Sequence, residues 1–179
     1  MNRPNQTEYA PSFEGYVSQV SENDILPVLR SQLDALDVLL NKVSADRETY
    51  RYADGKWSIR EIIGHLIDAE RVFGYRALCI ARGEQQGLPG FDQDEYMLTA
   101  PYDRISLEDL LSELRLVRLS NIAMLRTLDG EAWSRTGTAN NNPVTVRALA
   151  FIMAGHVRHH MNVLRERYLT SATSQQANA

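Results

Sequence analysis

Four stretches of the sequence carry apolar residues at the three- and four-residue spacing of an amphipathic α-helix, and this periodicity limits the fold more than any other feature. The stretches cover about residues 24–43, 58–82, 106–128 and 144–169. No stretch shows the apolar and polar alternation that identifies a half-buried strand. The pattern therefore predicts an all-α protein, an antiparallel four-helix bundle in which long crossover loops join the helices.

Local signals mark the start of the second helix and the loop after it. Ser58 and Glu61 have the spacing of a capping box, in which each side chain accepts a hydrogen bond from the backbone N–H of the other residue. Trp57 is placed to pack on Ile62 as a hydrophobic staple. Residues 83–105 contain several glycines and prolines, so they predict a long loop, and loops of this length are often functional.

The length of the chain, 179 residues, is that of one compact domain. We expect the bundle domain to cover residues 24–169, after an N-terminal extension of residues 1–23. Residues 170–179 are small and polar, and they predict a disordered tail.

Composition limits which partners and which cellular compartment we expect for this protein. The net charge is −4, and basic residues are interleaved with acidic ones, which argues against a nucleic-acid partner. No signal peptide and no apolar run long enough to span a membrane occur. Cys79 is the only cysteine, so an internal disulfide is excluded and a cytoplasmic location is expected. We expect a small-molecule substrate, no nucleic acid and no membrane; exposed apolar faces on a small bundle would also suit a homodimer.

All four histidines of the chain lie on two of the predicted helices. Each residue advances by about 100° around a helix. On the fourth helix, His156 lies at the centre of the apolar stripe, His160 lies about 40° from it, and His159 lies at the edge, about 60° to the other side. His65 lies on the buried side of the second helix. Three imidazoles are therefore expected to point into the bundle.

Two interpretations of these histidines are open. Each could be an ordinary core residue whose ring nitrogens find hydrogen bonds nearby. Alternatively, His65, His156 and His160 could hold one divalent metal ion and leave coordination positions free for water or substrate. Three buried imidazoles without partners would cost about 1–3 kcal/mol for each unsatisfied nitrogen. A shared metal removes that cost, which favours the second interpretation.

Other residues of the second helix are candidates for roles beside the metal. Asp68, one turn after His65, could accept a hydrogen bond from a ligating ring or act on water bound to the metal, so it is the catalytic candidate. Arg71 and Arg76 could hold an anionic group of the substrate, although an ordinary solvated helix face is the commoner explanation. The sequence contains no E-x-x-H, H-E-x-x-H, P-loop or G-x-G-x-x-G motif.

An ordered set of segments resembles the DinB/YfiT-like superfamily over about residues 24–169. The segments are "DGKWSIREIIGHLIDAE", "PGFDQDEYM", "LDGEAWSRTG" and "GHVRHHMNVLRERY". The resemblance implies a four-helix bundle in which three histidines bind a divalent ion, often nickel or zinc. By position, these would be His65, His156 and His160, with Asp68 at the acidic position after the first ligand and His159 beside the last.

The resemblance also implies a class of reaction. Some members of the superfamily transfer low-molecular-weight thiols such as bacillithiol, mycothiol or glutathione, others open or isomerise thiol-linked substrates, and many have no assigned reaction. We therefore expect a metal-dependent hydrolase or thiol S-transferase in which a zinc or nickel ion activates water or a thiol, with a low-molecular-weight thiol as a candidate co-substrate. The alternative is a non-enzymatic metal- or small-molecule-binding bundle, associated with stress, whose site is vestigial.

Overall fold

The computed structural model describes residues 2–169, and its long elements are four helices. These are α2, α3, α5 and α7, at Ile25–Leu40, Ile59–Ala81, Leu107–Leu125 and Val146–Val163. Helix α7 continues as a π-helical stretch, Leu164–Leu169. The shorter helices are α1, Glu14–Val17, α4, Gln93–Thr99, and α6, Gly130–Ser134. Single 3₁₀ turns lie at Gln6–Glu8, Pro11–Phe13 and Tyr102–Arg104.

The predicted four-helix bundle with crossover connections is confirmed. Helices α2 and α3 each pack on both α5 and α7. Helices α2 and α3, which are consecutive among the long helices, therefore lie at opposite corners, and so do α5 and α7. The connections 41–58 and 126–145 cross the bundle between these corners.

The long connection 82–106 joins two neighbouring helices that run in the same direction. Ser58 at the start of α3 bonds to Asp103, just before α5. Farther along both helices, Glu70 bonds to Arg118, so α3 and α5 are parallel. Helices α3 and α7 are antiparallel, as are α2 and α5.

Helix α3, which carries the first candidate ligand, begins and ends where the sequence predicts. The Ser58 Oγ accepts a hydrogen bond from the Glu61 N–H at 3.1 Å, and the Ser58 N–H donates to the Glu61 carboxylate at 2.7 Å. Both bonds of the predicted capping box are thus present. Gly83 follows the helix with φ at 88°, a backbone conformation that glycine adopts without strain.

A β-hairpin lies where the sequence showed no strand pattern. Strands β1, Thr136–Ala139, and β2, Asn142–Thr145, pair in antiparallel register. Asn140 and Asn141 form the turn with φ at 49° and 60°, a left-handed conformation that favours asparagine. The expectation of no strands was wrong because four-residue strands are too short to show clear alternation. The sequence did contain the turn signal, two adjacent asparagines.

The hairpin holds the long loop after α3 in place. The Leu88 N–H donates to the Thr138 carbonyl, and the Asn140 N–H donates to the Leu88 carbonyl, each at 2.9 Å. Within the loop predicted at 83–105, helix α4 forms over part of its length. The loop therefore has a defined position relative to the bundle.

The N-terminal segment packs on α7. Val17 and Val20 are buried, and the carbonyl of Tyr16 lies so close to Gly155 that a Cβ atom there would collide with it. Glu8 also forms an ion pair with Arg147 at 2.7 Å. The residues predicted as an N-terminal extension therefore contribute to the packed structure. The tail predicted at 170–179 lies outside the described residues.

The core has two apolar clusters, one toward each end of the bundle, with buried polar residues between them. Each long helix supplies at least one of these residues, among them Gln32 from α2, Glu70 from α3, Arg118 from α5 and His156 from α7. The Gln32 amide donates to the Ala154 carbonyl at 2.7 Å, and it accepts from Arg118 at 3.0 Å. No helix among the described residues is long and apolar enough to cross a membrane. The homodimer stays a prediction.

Candidate metal centre

Three histidine rings meet within the bundle. His65 projects from α3, and His156 and His160 project from consecutive turns of α7. The His156 Nε2 lies 2.9 Å from the His65 Nε2 and 3.2 Å from the His160 Nε2. The three potential ligand atoms all lie within 4.8 Å of one another. The antiparallel packing of α3 on α7 thus brings together residues 91 positions apart in sequence.

These rings fit a divalent metal ion. Nitrogen ligands about 2.0–2.1 Å from a tetrahedral zinc ion are about 3.3 Å apart, close to both distances from His156. A neutral imidazole has one N–H and one lone pair, so hydrogen bonds alone satisfy three facing nitrogens poorly. The His160 Nδ1 is also buried and has no hydrogen-bond partner among residues 2–169. Hydrogen bonding among those residues therefore satisfies at most one of the two ring nitrogens of His160.

Burial keeps all three rings neutral, as metal ligation requires. Burial, followed by electrostatic interaction with nearby His159, lowers the pKa of His65 to about 4. Burial and the neighbouring histidines lower the pKa of His160 to about 3. The pKa of His156 is well below its usual value, mainly because the ring is buried and also because other histidines and Arg118 lie near it.

Aromatic side chains surround the histidines. The Trp57 ring centroid lies 4.8 Å from that of His65. The Tyr16 and Phe73 ring centroids lie 5.2 Å and 5.9 Å from that of His156. These contacts limit rotation of the imidazoles and leave few competing polar groups around them.

A cavity of about 340 Å³ opens onto His65 and His156. Its apolar walls are Phe13, Tyr16, Ala69, Phe73 and Phe91, and its polar walls are Arg76, Asp92, Gln93 and Asn140. A second cavity, of about 370 Å³, is lined by His159 and His160 together with Lys56 and Asp94. The N-terminal segment, the loop after α3 and the hairpin turn thus all contribute to the first cavity.

The other predicted residues lie outside the histidine cluster. Asp68 is half-buried and bonds to the hydroxyl of Tyr102; among the described residues, no hydrogen bond joins it to a histidine. Its pKa is raised, mainly by burial. His159 packs edge-on against Tyr16 and His160, and it is not one of the three residues whose ligand atoms converge.

The two arginines of α3 differ. Arg71 is half exposed and forms a surface ion pair with Glu113, whereas Arg76 is buried and lines the cavity. The sequence contained a signal for this difference in the position of each arginine around the helix. Measured around the helix from Ile62, Arg76 lies about 40° away, on the apolar stripe, and Arg71 lies about 180° away.

The sequence interpretation also missed a buried ion pair. Arg118 donates to both carboxylate oxygens of Glu70, each at 2.8 Å, and both side chains are at most 2% exposed. Arg118 lies four residues from both Leu114 and Ile122 on the buried stripe of α5, which is the signal that could have identified it. Tyr16 gave no such signal, because its contact with the site depends on how the N-terminal segment folds back.

The fold and the site together define a four-helix bundle with a three-histidine centre, and the sequence comparison names its family. The sequence profile of the DinB superfamily matches residues 29–164. The chain belongs to the DinB superfamily. None of the curated proteins compared with the chain matches it significantly.

Two solved structures from Bacillus subtilis share the fold. One is YfiT, described as a probable metal-dependent hydrolase with an unusual four-helix bundle topology. It is 15% identical with a TM-score of 0.70, over 98% of this chain and 94% of YfiT. The other is a DinB-like protein, 21% identical with a TM-score of 0.57, over 88% of this chain and 94% of that chain.

Proposed function

We propose that this protein is a metal-dependent enzyme, a hydrolase or a thiol S-transferase, that acts on a small molecule. His65, His156 and His160 would hold a divalent ion, with zinc and nickel as the leading candidates. The observation that carries the proposal is the convergence of three neutral imidazole nitrogens beside a cavity of about 340 Å³. Membership of the DinB superfamily and the description of YfiT as a probable metal-dependent hydrolase support it.

The chain supplies binding and positioning for this chemistry. When bound, a divalent ion with open coordination positions makes a water or a thiol nucleophilic near neutral pH. Burial lowers the pKa of His65 and His160, which favours the unprotonated rings that can ligate an ion. The aromatic walls pack around the apolar part of a substrate and limit access of bulk water.

Asp68 is proposed to hold or move a proton at its carboxylate. Its raised pKa supports this role, since a carboxyl that protonates closer to neutral pH exchanges a proton more readily. Asp68 bonds to Tyr102 and to no histidine among the described residues, so it would act on the reacting groups indirectly. We expect Asp68→Asn, which can still accept the Tyr102 hydrogen bond, to lower kcat about 10- to 100-fold and leave metal content unchanged. An unchanged kcat would remove Asp68 from the proposal.

Metal analysis tests the centre directly. We expect protein purified without a histidine tag to contain close to one zinc or nickel ion per chain, and the His156→Ala, His160→Ala double variant to contain almost none. His159→Ala is the matched control, because His159 is next to a ligand but outside the converging set, and it should keep the metal. A metal content near zero in the unaltered protein, even after reconstitution with both ions, would contradict the proposal.

An activity screen separates the reactions. The metal-loaded protein would be assayed on small esters and amides without added thiol, and on electrophiles with glutathione, bacillithiol or mycothiol. Turnover without thiol identifies a hydrolase, and turnover that requires thiol identifies an S-transferase. A protein that binds metal but turns over neither set would support the non-enzymatic binding alternative.

A further inference from the structure

The side chain of Arg76 is buried without an acidic partner. It is 4% exposed, and its guanidinium donates one hydrogen bond, from Nη2 to the Pro89 carbonyl, at 2.7 Å. Within residues 2–169, no carboxylate lies within 4.0 Å of this guanidinium. A buried charge is unfavourable unless another charge or several hydrogen bonds compensate it.

The other arginines in this region are compensated. Arg118, which is 1% exposed, bonds to both oxygens of Glu70 and to Gln32. Arg71, on the same helix as Arg76, pairs with Glu113 at the surface. Burial lowers the pKa of Arg76, because removing the guanidinium from water makes its charged form less favourable. Arg76 is therefore placed to bind a charge that the chain itself does not supply.

Arg76 lines the same cavity as the histidines. Its Cζ atom lies 6.0 Å from the ring centroids of both Phe73 and Phe91. The Phe73 centroid in turn lies 5.9 Å from that of His156. The guanidinium and the His156 ring thus both lie within about 6 Å of the centroid of the same aromatic ring, a spacing that one small molecule can span.

We propose that Arg76 binds the carboxylate of a small-molecule substrate whose apolar body packs between the aromatic walls and whose reacting group reaches the histidine centre. This inference rests on the proposed function for the second end of the substrate. The planar guanidinium presents paired donors that match a carboxylate.

The charge of the cavity favours a monoanion. Arg76 is the only arginine or lysine among the described residues that line the cavity. The one carboxylate in the lining, that of Asp92, accepts the backbone N–H groups of Asp94 and Glu95. A neutral ligand would leave Arg76 uncompensated, so the site selects for negative charge.

A matched pair of ligands tests the carboxylate site. Phenylacetate and phenylacetamide have nearly the same shape and differ in charge, and their binding would be measured by calorimetry or ligand-observed NMR. We expect the unaltered protein to prefer phenylacetate about ten-fold or more. In Arg76→Gln the preference should fall to near one, and in Arg76→Lys, which keeps the charge but loses the planar fork, it should be intermediate. Arg71→Gln, the control on the same helix, should keep the full preference.

The measurements would be made on metal-free and on nickel-loaded protein. Preference for phenylacetate in a protein that fails to bind metal would uphold the carboxylate site and contradict the proposed function. Metal binding without a preference for phenylacetate would support the proposed function and contradict the carboxylate site. Equal affinity for the two ligands, binding of neither, or a preference that survives in Arg76→Gln would each overturn the inference. If Arg76→Gln does not fold, the test uses the preference for phenylacetate over phenylacetamide in the unaltered protein and in Arg76→Lys.

Discussion

At the scale of single residues, the candidate centre depends on keeping imidazoles uncharged. Each ring is placed where protonation is unfavourable, and the pKa values of His65 and His160 fall to about 4 and about 3. A surface histidine would be partly protonated in weakly acidic solution, and a proton would compete with a metal for the same lone pair. Burial therefore prepares the ligands before any ion arrives.

This burial predicts how the stability of the metal-free protein depends on pH. Between the folded and unfolded pKa values of a buried histidine, the unfolded chain binds more protons, so the free energy of unfolding decreases as pH falls. We expect a loss of about 1 kcal/mol for each of the three histidines between pH 7 and pH 5.5. This loss in the free energy of unfolding would be measured by urea unfolding at both pH values.

A single substitution checks that the loss comes from the histidines. His65→Leu removes one of the three titrating rings and should reduce the loss by about a third. The pH window ends above the usual pKa of aspartate and glutamate, so carboxyl groups with ordinary pKa values contribute little. The raised pKa of Asp68 acts in the opposite direction, because it lessens the loss of stability as pH falls. A pH dependence that is the same in His65→Leu and in the unaltered protein would contradict the explanation.

At the scale of elements, the N-terminal segment and the hairpin complete a site that the bundle begins. Helices α3 and α7 carry the three candidate ligands, but Tyr16 comes from α1 and Asn140 from the hairpin turn. The family match begins at residue 29, after Tyr16. We infer that the four long helices provide the centre, and that the attached segments shape the cavity beside it.

The close approach of α1 to α7 makes the role of α1 testable. In Gly155→Ala, the added Cβ would collide with the Tyr16 carbonyl, so α1 must move away from α7 and take the Tyr16 ring away from His156. We expect the free energy of unfolding to fall by about 1–3 kcal/mol, measured by urea unfolding. Affinity for phenylacetate should fall as well.

Gly15→Ala is the matched control, because a Cβ at that position meets no atom within 4 Å among the described residues. It should be as stable as the unaltered protein or slightly more so, since alanine favours the helix. Equal stability of Gly155→Ala and Gly15→Ala would show that the contact between α1 and α7 is not tight in solution.

At the scale of the whole molecule, a buried polar layer ties the four helices together beside the histidines. Arg118 bonds to Glu70 on α3 and to Gln32 on α2, and Gln32 bonds to α7 at Ala154. Apolar contacts alone would allow the helices to slide or rotate with small changes in energy. The hydrogen bonds of the layer have defined geometry, so we infer that they help to fix the register of α3 against α7.

Removal of the central arginine should be strongly destabilising. Arg118→Met leaves Glu70 as a buried carboxylate with only Asn121 as a side-chain partner among the described residues. We expect the free energy of unfolding to fall by about 3–5 kcal/mol. Chemical unfolding measures this change, and metal content would report any change in the register of α3 and α7.

Arg115→Met provides the comparison, because Arg115 lies one turn earlier on α5 and pairs with Asp34 and Asp37 at the surface. Its loss should cost less than about 1 kcal/mol. Similar effects of the two substitutions would mean that the buried layer is no more important to stability than a surface ion pair.

The sequence by itself determined the elements and the faces of the helices. Periodicity located the four helices, the capping box placed the start of α3, and helical angle separated His156 and His160 from His159. These are local properties, since they depend on residues within one or two turns of each other. The same angle would also have separated Arg76 from Arg71.

Only the tertiary structure decided which faces meet and which segments cover them. The 2.9 Å contact of His65 with His156, the placement of Tyr16 on His156 and the absence of a carboxylate near Arg76 among the described residues all depend on packing between distant parts of the chain. The hairpin was also beyond local reasoning, because its strands are four residues long and pack on other elements. Helical angle gives the direction of a side chain, but the energy of packing selects its partner.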